Sequence, residues 1–195
     1  ENINERPKRI IVCSTHFEDD KMVIPPLSRL MKKHPDLKIF HIPHEPNINT
    51  IKNISSNYYD LGHSPIILDK IDCFKIPRDQ IILLKAVGYL SKLYWFAQMG
   101  FVGGGMSTGI HNVMEPAIAG IPILFGPKYD HAPEAEELII SKGGFCVKNA
   151  IEFESVINDF FNNPNRMKNA GEAAKNTIYN NIGISSTIVN CIIYD

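Results

Sequence analysis

The chain has 195 residues, 44% of them hydrophobic, and its 20 Lys and Arg nearly balance 21 Asp and Glu for a net charge of −1. That length suits one well-buried core, and the lack of any Lys or Arg run removes the electrostatic reason to expect nucleic acid or a polybasic membrane patch. No apolar stretch approaches the roughly 18 residues of a membrane span, and no signal peptide opens the sequence, so a soluble polypeptide is expected.

Residues 1–8 are polar, contain Pro7 and begin with Glu1 rather than Met. They read as a linker, and the whole as a fragment of a longer protein with one domain over residues 9–195. Strands are predicted at residues 9–13, 37–42, 66–68, 80–84, 100–103, 121–125 and 145–147, with helices between them. This alternation argues for a parallel sheet covered on both faces. Pro25 and Pro26 predict an acidic turn over residues 18–24, with Asp19 and Asp20 solvated, followed by a helix over residues 26–33 with proline near its start. Residues 90–99 are apolar nearly all round and are predicted to be buried. Asn149 and Glu152 have capping-box spacing before an apolar face of Val156, Ile157, Phe160 and Phe161. Pro164 restarts a helix to about residue 180, and residues 184–193 form a last one.

Cys13, Cys73, Cys146 and Cys191 are widely separated, with no Cys-x-x-Cys pair and no zinc-type His spacing. They read as thiols in a reducing compartment. His34, His41 and His63 have no partner at ligand or triad spacing and read as ordinary surface or core residues.

Residues 101–127 carry the chemistry: strand, glycine loop, helix, glycine stop and second strand in one run. Gly103, Gly104 and Gly105 are expected to bring backbone N–H groups close to a ligand, and a helix beginning near His111 to add unpaired N–H groups and a positive dipole end. Together they predict a phosphate site on a rim loop that contributes little to the core. His111 reads as pointing a ring nitrogen at phosphate or as a helix cap, and Asn112 is an equally good cap. Glu115 falls inside the helix among apolar neighbours, suited to binding two sugar hydroxyls. Ser14, Pro43, Gly88, Gly103 and Phe125 all lie at predicted strand ends, so the motif residues converge on one edge of a doubly wound sheet. Ser14, Thr15 and His16 serve either that edge or the cap of the following helix.

The glycine triplet, His111-Asn112, Glu115 and the strand ending Phe125-Gly126-Pro127 together resemble the donor-binding motif of the 3-deoxy-D-manno-octulosonic acid (Kdo) transferases. Cys13-Ser14-Thr15-His16, Ile42-Pro43-His44-Glu45 and the segment from Val87-Gly88 match in order, so the resemblance covers residue 9 to about residue 180. It implies an α/β, Rossmann-like doubly wound parallel sheet forming one half of a GT-B glycosyltransferase. It also implies a CMP-Kdo donor, a lipid A precursor as acceptor, and action at the cytoplasmic face of the bacterial inner membrane. Donor-binding residues carried over are Ser14, Thr15, Pro43, His44, Gly88, Gly103, Gly104, Gly105, His111, Asn112 and Glu115. No catalytic residue is expected in this chain, the acceptor-activating base and the membrane contact belonging in such enzymes to the N-terminal domain. No cofactor or metal is expected, since GT-B enzymes manage the leaving group without a divalent ion.

The chain departs from the family where His44 replaces a frequent Arg, where Ala132-Pro133 replaces an aromatic-basic pair while Glu134 keeps the acid, and where the loop between Gly105 and His111 is one residue short. Two other readings remain: a UDP-sugar-dependent GT-B transferase or epimerase, and a non-catalytic Rossmann-like module.

Overall fold

The strand segments are short and dominated by Ile, Val, Leu and Phe, with polar, Gly and Pro residues between them, which suits a sheet buried on both faces. A computed structural model describes residues 3–72, 75–85 and 90–194, with side chains to residue 180. Seven strands form one sheet: β1 (Arg9–Thr15), β2 (Lys38–Pro43), β3 (Ile66–Leu68), β4 (Ile81–Leu84), β5 (Met99–Val102), β6 (Ile123–Phe125) and β7 (Gly144–Cys146). Every pairing is parallel, in the order β3-β4-β2-β1-β5-β6-β7. The predicted strands agree to within two residues at each end. After β1 the chain first builds one flank of the sheet and then, from β5, the other, so the crossing direction reverses between β1 and β5. Ligands of doubly wound sheets bind at that position, beyond the strands' carboxyl ends.

The helices are α1 (Phe17–Lys33), α2 (Ile48–Asp60), α3 (Leu90–Leu93), α4 (Met114–Ile118), α5 (Pro133–Ile140), α6 (Ala150–Asn162) and α7 (Pro164–Tyr194). The predicted break in α1 does not occur: both prolines lie inside one continuous helix. An interior proline costs about 3 kcal/mol, but this helix buries Met22, Val23, Ile24, Leu27, Leu30 and Met31. Burial on the order of 1.5–3 kcal/mol per large apolar side chain exceeds that cost.

Residues 90–99 also differ from expectation. Only α3 and a 3-10 turn at Tyr94–Phe96 form before β5 begins, because Gln98 N–H already bonds Arg9 O and commits the chain to the sheet. Leu93, Tyr94 and Ala97 are buried, but Trp95 stays 47% exposed. The helix predicted to end near residue 180 continues through α7 to Tyr194; a single Gly183 costs only about 1 kcal/mol and does not stop it.

Asn149 caps α6 as its spacing predicts, accepting from Ile151 N–H and Glu152 N–H at 3.0 and 2.9 Å. The return bond of Glu152 goes to Lys148 N–H rather than to the cap residue itself. Phe153, Ile157 and Phe160 are its fully buried residues, with Val156 and Phe161 partly buried beside them.

Residues 3–6, read as linker, lie against the domain. Ile3 is buried, and Arg6 donates to Ala97 O at 3.0 Å and Ala119 O at 3.3 Å. No helix of the described residues is long and apolar enough to cross a membrane.

Candidate functional site

The first surprise at the switch point is where the glycine amides go. Gly103 N–H bonds Cys13 O at 2.8 Å, while Gly104 N–H and Met106 N–H donate to the two carboxylate oxygens of Asp19 at 2.7 and 3.2 Å. Asp19 Oδ2 also takes His16 N–H at 2.9 Å, closing the first turn of α1. Of the glycine amides expected to meet an external phosphate, that of Gly103 is therefore already held by a backbone carbonyl and that of Gly104 by an internal anion. Asp19 is fully buried rather than solvated, and burial pushes its carboxyl pKa up while the backbone donors pull it back. Its position three residues beyond the helix cap was the available signal, since an acid there bonds backbone N–H groups at the helix start.

The glycines themselves answer to packing. A Cβ on Gly103 would lie 2.4 Å from Ser14 O, and Gly104 combines a φ of +89° with a Cβ site 2.1 Å from Gly109 O. Gly105 backs onto Gly126, where a Cβ would lie 2.7 Å from Gly126 Cα. Lys128 N–H bonds Gly105 O, Ile110 N–H bonds Lys128 O, and the His131 ring meets Ile110 O at 3.1 Å. The loop after β5 is thus locked between β1 and the loop after β6. This corrects the expectation of a rim loop that contributes little to the fold.

The helix expected near His111 begins at Met114 and has only five residues, so its dipole is small. Val113, not Asn112, is the cap residue, and Asn112 just before it accepts Met114 N–H on its Oδ1 at 2.9 Å. Glu115 stands exposed beside it, with Asn112 Nδ2 at 3.5 Å, rather than among apolar neighbours.

The strand ends bring together three imidazoles that chain spacing does not reveal. His16 follows β1, His44 follows β2 and His111 follows β5. His16 Nε2 and His111 Nε2 meet at 2.9 Å although 95 residues separate them. His44 lies over His111 with ring centroids 4.2 Å apart and over His16 at 4.9 Å. Backbone bonds fix two of these residues further: His44 N–H to Thr15 O at 3.0 Å and His111 N–H to Gly103 O at 3.1 Å. Burial, then the neighbouring imidazoles, lower the His111 pKa to about 4, leaving that ring neutral at physiological pH. A cavity of about 160 Å³ opens beside His16 and His44.

Ser14 is the extra residue of a bulge in β1, held at φ 54°, a backbone conformation that non-glycine residues seldom adopt. The bulge turns Thr15 inward. Its hydroxyl meets His41 Nε2 at 3.0 Å, and Asp20 Oδ1 lies 2.9 Å from the same nitrogen. Tyr58 OH completes the set at 3.0 Å from His41 Nδ1. His41 and Asp20 are therefore buried partners, not an unremarkable histidine and a solvated acid. The network joins β1, α1, β2 and α2 and satisfies its own polar atoms, as buried polar groups require. Burial and the adjacent Asp20 raise the Tyr58 pKa well above its usual value.

Pro43 ends β2, buried and in register with Thr15. Gly88 lies outside the described residues. Cys13 is buried with its Sγ 2.9 Å from Tyr94 OH, and desolvation drives the thiol pKa up to about 12, which suits an inert packing residue. Of the predicted site residues, Ser14, His44, Gly103, Gly104, Gly105, His111, Asn112 and Glu115 gather around the switch point. Thr15 shares that edge but turns its side chain into the interior.

No protein-family model matches the chain. It is 27% identical over 166 residues to a 3-deoxy-D-manno-octulosonic acid transferase of Rickettsia bellii (strain RML369-C), covering 84% of this chain and 39% of that protein. The chain thus spans well under half the length of the curated relatives it matches. Among solved structures it is similar to the C-terminal CMP-Kdo binding domain of WaaA from Acinetobacter baumannii, with TM-score 0.78 and 18% identity over 91% of this chain and 92% of that one. Anabaena Alr3699/HepE in complex with UDP-glucose is similar at TM-score 0.65 and 11% identity, over 96% of this chain and 50% of that one. The fold is α/β and Rossmann-like, a parallel sheet matching the fold of a single GT-B-type half-domain.

Proposed function

We propose that the chain is the donor-binding half of a Kdo transferase, taking CMP-Kdo at the carboxyl ends of β1, β2 and β5. The full-length enzyme then transfers Kdo to a lipid A precursor at the cytoplasmic face of the bacterial inner membrane. The observation that carries this reading is the convergence of three motif segments on one switch point: residues 14–16, residues 43–44 and residues 103–115. The likeness to 3-deoxy-D-manno-octulosonic acid transferases supports the choice of sugar.

On this reading the work within the site is divided differently from the sequence expectation. With Asp19 bonded to the Gly104 and Met106 amides, those amides set the shape of the cleft, and His16, His44 and His111 are left to face a donor phosphate. Glu115 is exposed on the same loop, where a carboxylate accepts hydrogen bonds from the two ribose hydroxyls. It positions the donor and moves no proton. Stabilising the charge that develops on departing CMP is the chemistry this half contributes. The base that activates the acceptor hydroxyl belongs, on this reading, to the other half of the enzyme.

Calorimetric titration of the chain with CMP, and separately with UMP, tests the nucleotide. CMP is expected to bind more tightly, with modest affinity because only one wall of the cleft is present. Equal or better UMP binding would favour the UDP-sugar alternative, which the likeness to a UDP-glucose complex keeps in view. The Glu115→Ala variant should lose about 1–3 kcal/mol of CMP binding, as expected for hydrogen bonds to a charged group. Its melting temperature should stay at the wild-type value, since the side chain is exposed and its one described side-chain hydrogen bond is 3.5 Å long. Unchanged affinity with early melting would make Glu115 structural.

A further inference from the structure

We propose that His16, His44 and His111 form a binding site for a divalent transition-metal ion such as Zn²⁺ at the carboxyl end of β1. One ligand atom from each ring already lies within 4.8 Å of the others. Tetrahedral zinc with Zn–N near 2.0–2.1 Å needs ligand nitrogens about 3.3 Å apart. His16 and His111 are near that spacing at 2.9 Å, with their Nε2 atoms turned toward one another. An N–H on one ring now bridges the pair. On metal binding that proton moves to Nδ1 of the same ring, and both Nε2 lone pairs go to the ion.

His44 supplies the third ligand by pivoting. It is exposed and stacked on the other two rings, while its backbone is tethered to Thr15 O. The donor set selects the kind of ion, because three imidazoles without a carboxylate suit zinc, nickel or copper and not the oxygen-seeking Mg²⁺ or Ca²⁺. His131 does not join them, since its Nε2 faces Ile110 O. Three protein ligands leave at least one coordination position open, the arrangement of a site that meets an exchangeable ligand rather than a closed structural one. The site does not depend on the identity of the nucleotide.

Zn²⁺ calorimetry and the visible spectrum with Co²⁺ test this directly on the chain at neutral pH. One equivalent should bind at about micromolar Kd or tighter, and Co²⁺ should give the intense visible bands of a low-coordinate nitrogen site. His44→Ala should weaken binding roughly a hundredfold, about 2.7 kcal/mol, without lowering the melting temperature, because the residue is exposed. His111→Ala should weaken it comparably, and His63→Ala, outside the cluster, should leave it unchanged. Absence of saturable binding, or binding that survives both His44→Ala and His111→Ala, would overturn the proposal. Titrating CMP in the presence of EDTA keeps the readings apart. Nucleotide binding without metal binding sinks only the metal site, and metal binding without nucleotide binding sinks only the donor reading.

Discussion

Gly104→Val should lower the melting temperature of the chain rather than act on ligand binding alone. Valine at a φ of +89° carries backbone strain on the order of 1–3 kcal/mol, and its Cβ would lie 2.1 Å from Gly109 O in a loop already closed against neighbouring backbone. Forced overpacking adds roughly 1–3 kcal/mol. Together these predict a fall in melting temperature of about 5–20 °C for a domain of this size. Gly62→Val is the matched control, because Gly62 has a similar φ of +84° but nothing within 4 Å of its Cβ site. It should show the strain without the collision and melt between wild type and Gly104→Val. Wild-type melting of Gly104→Val with lost CMP binding would instead make the loop the functional rim that the glycine pattern suggests.

Asp19→Ala is expected to be nearly as damaging, through hydrogen bonds rather than volume. It strips the acceptor from His16, Gly104 and Met106 N–H in a buried position. Leaving buried donors unsatisfied costs about 1–3 kcal/mol each, with partial relief where the loop relaxes. A loss of roughly 3 kcal/mol in urea-unfolding free energy is expected. Asp19→Asn keeps one acceptor oxygen and should fall between. An Asp19→Ala variant within about 0.5 kcal/mol of wild type, the scatter of ordinary surface substitutions, would show that the carboxylate is not what holds the loop.

The contrast between what was legible and what was not follows from range. β1, β2 and β5 announce themselves because apolar residues dominate each short segment between polar and glycine flanks, a local signal that tertiary structure does not reverse. The motif residues' approach to one edge was equally legible, since it follows from strand ends in a parallel sheet. Helix α1 was split in error because proline's local cost is visible in sequence and the buried face that outweighs it is not. Asp19 looked like a solvated acid because its partners, the Gly104 and Met106 amides, lie more than eighty residues away. The histidine trio was missed for a related reason. Metal-site spacing rules look for ligands close in sequence, and here each ligand comes from a different strand end.

The central position of β1 has a consequence for how the chain is made. Its Ile10, Ile11, Val12 and Cys13 pair with β2 on one side and with β5 on the other. During synthesis β2 emerges soon after β1, but β5 begins only at Met99. At ordinary elongation rates one edge of this central strand therefore waits several seconds for its neighbour. Throughout that interval the nascent chain presents unpaired N–H and C=O groups along an apolar edge, the arrangement that recruits a strand from another chain. The same crossover that creates the cleft makes the half-finished domain a substrate for chaperones or for aggregation, and release from that state comes with residues 99–102.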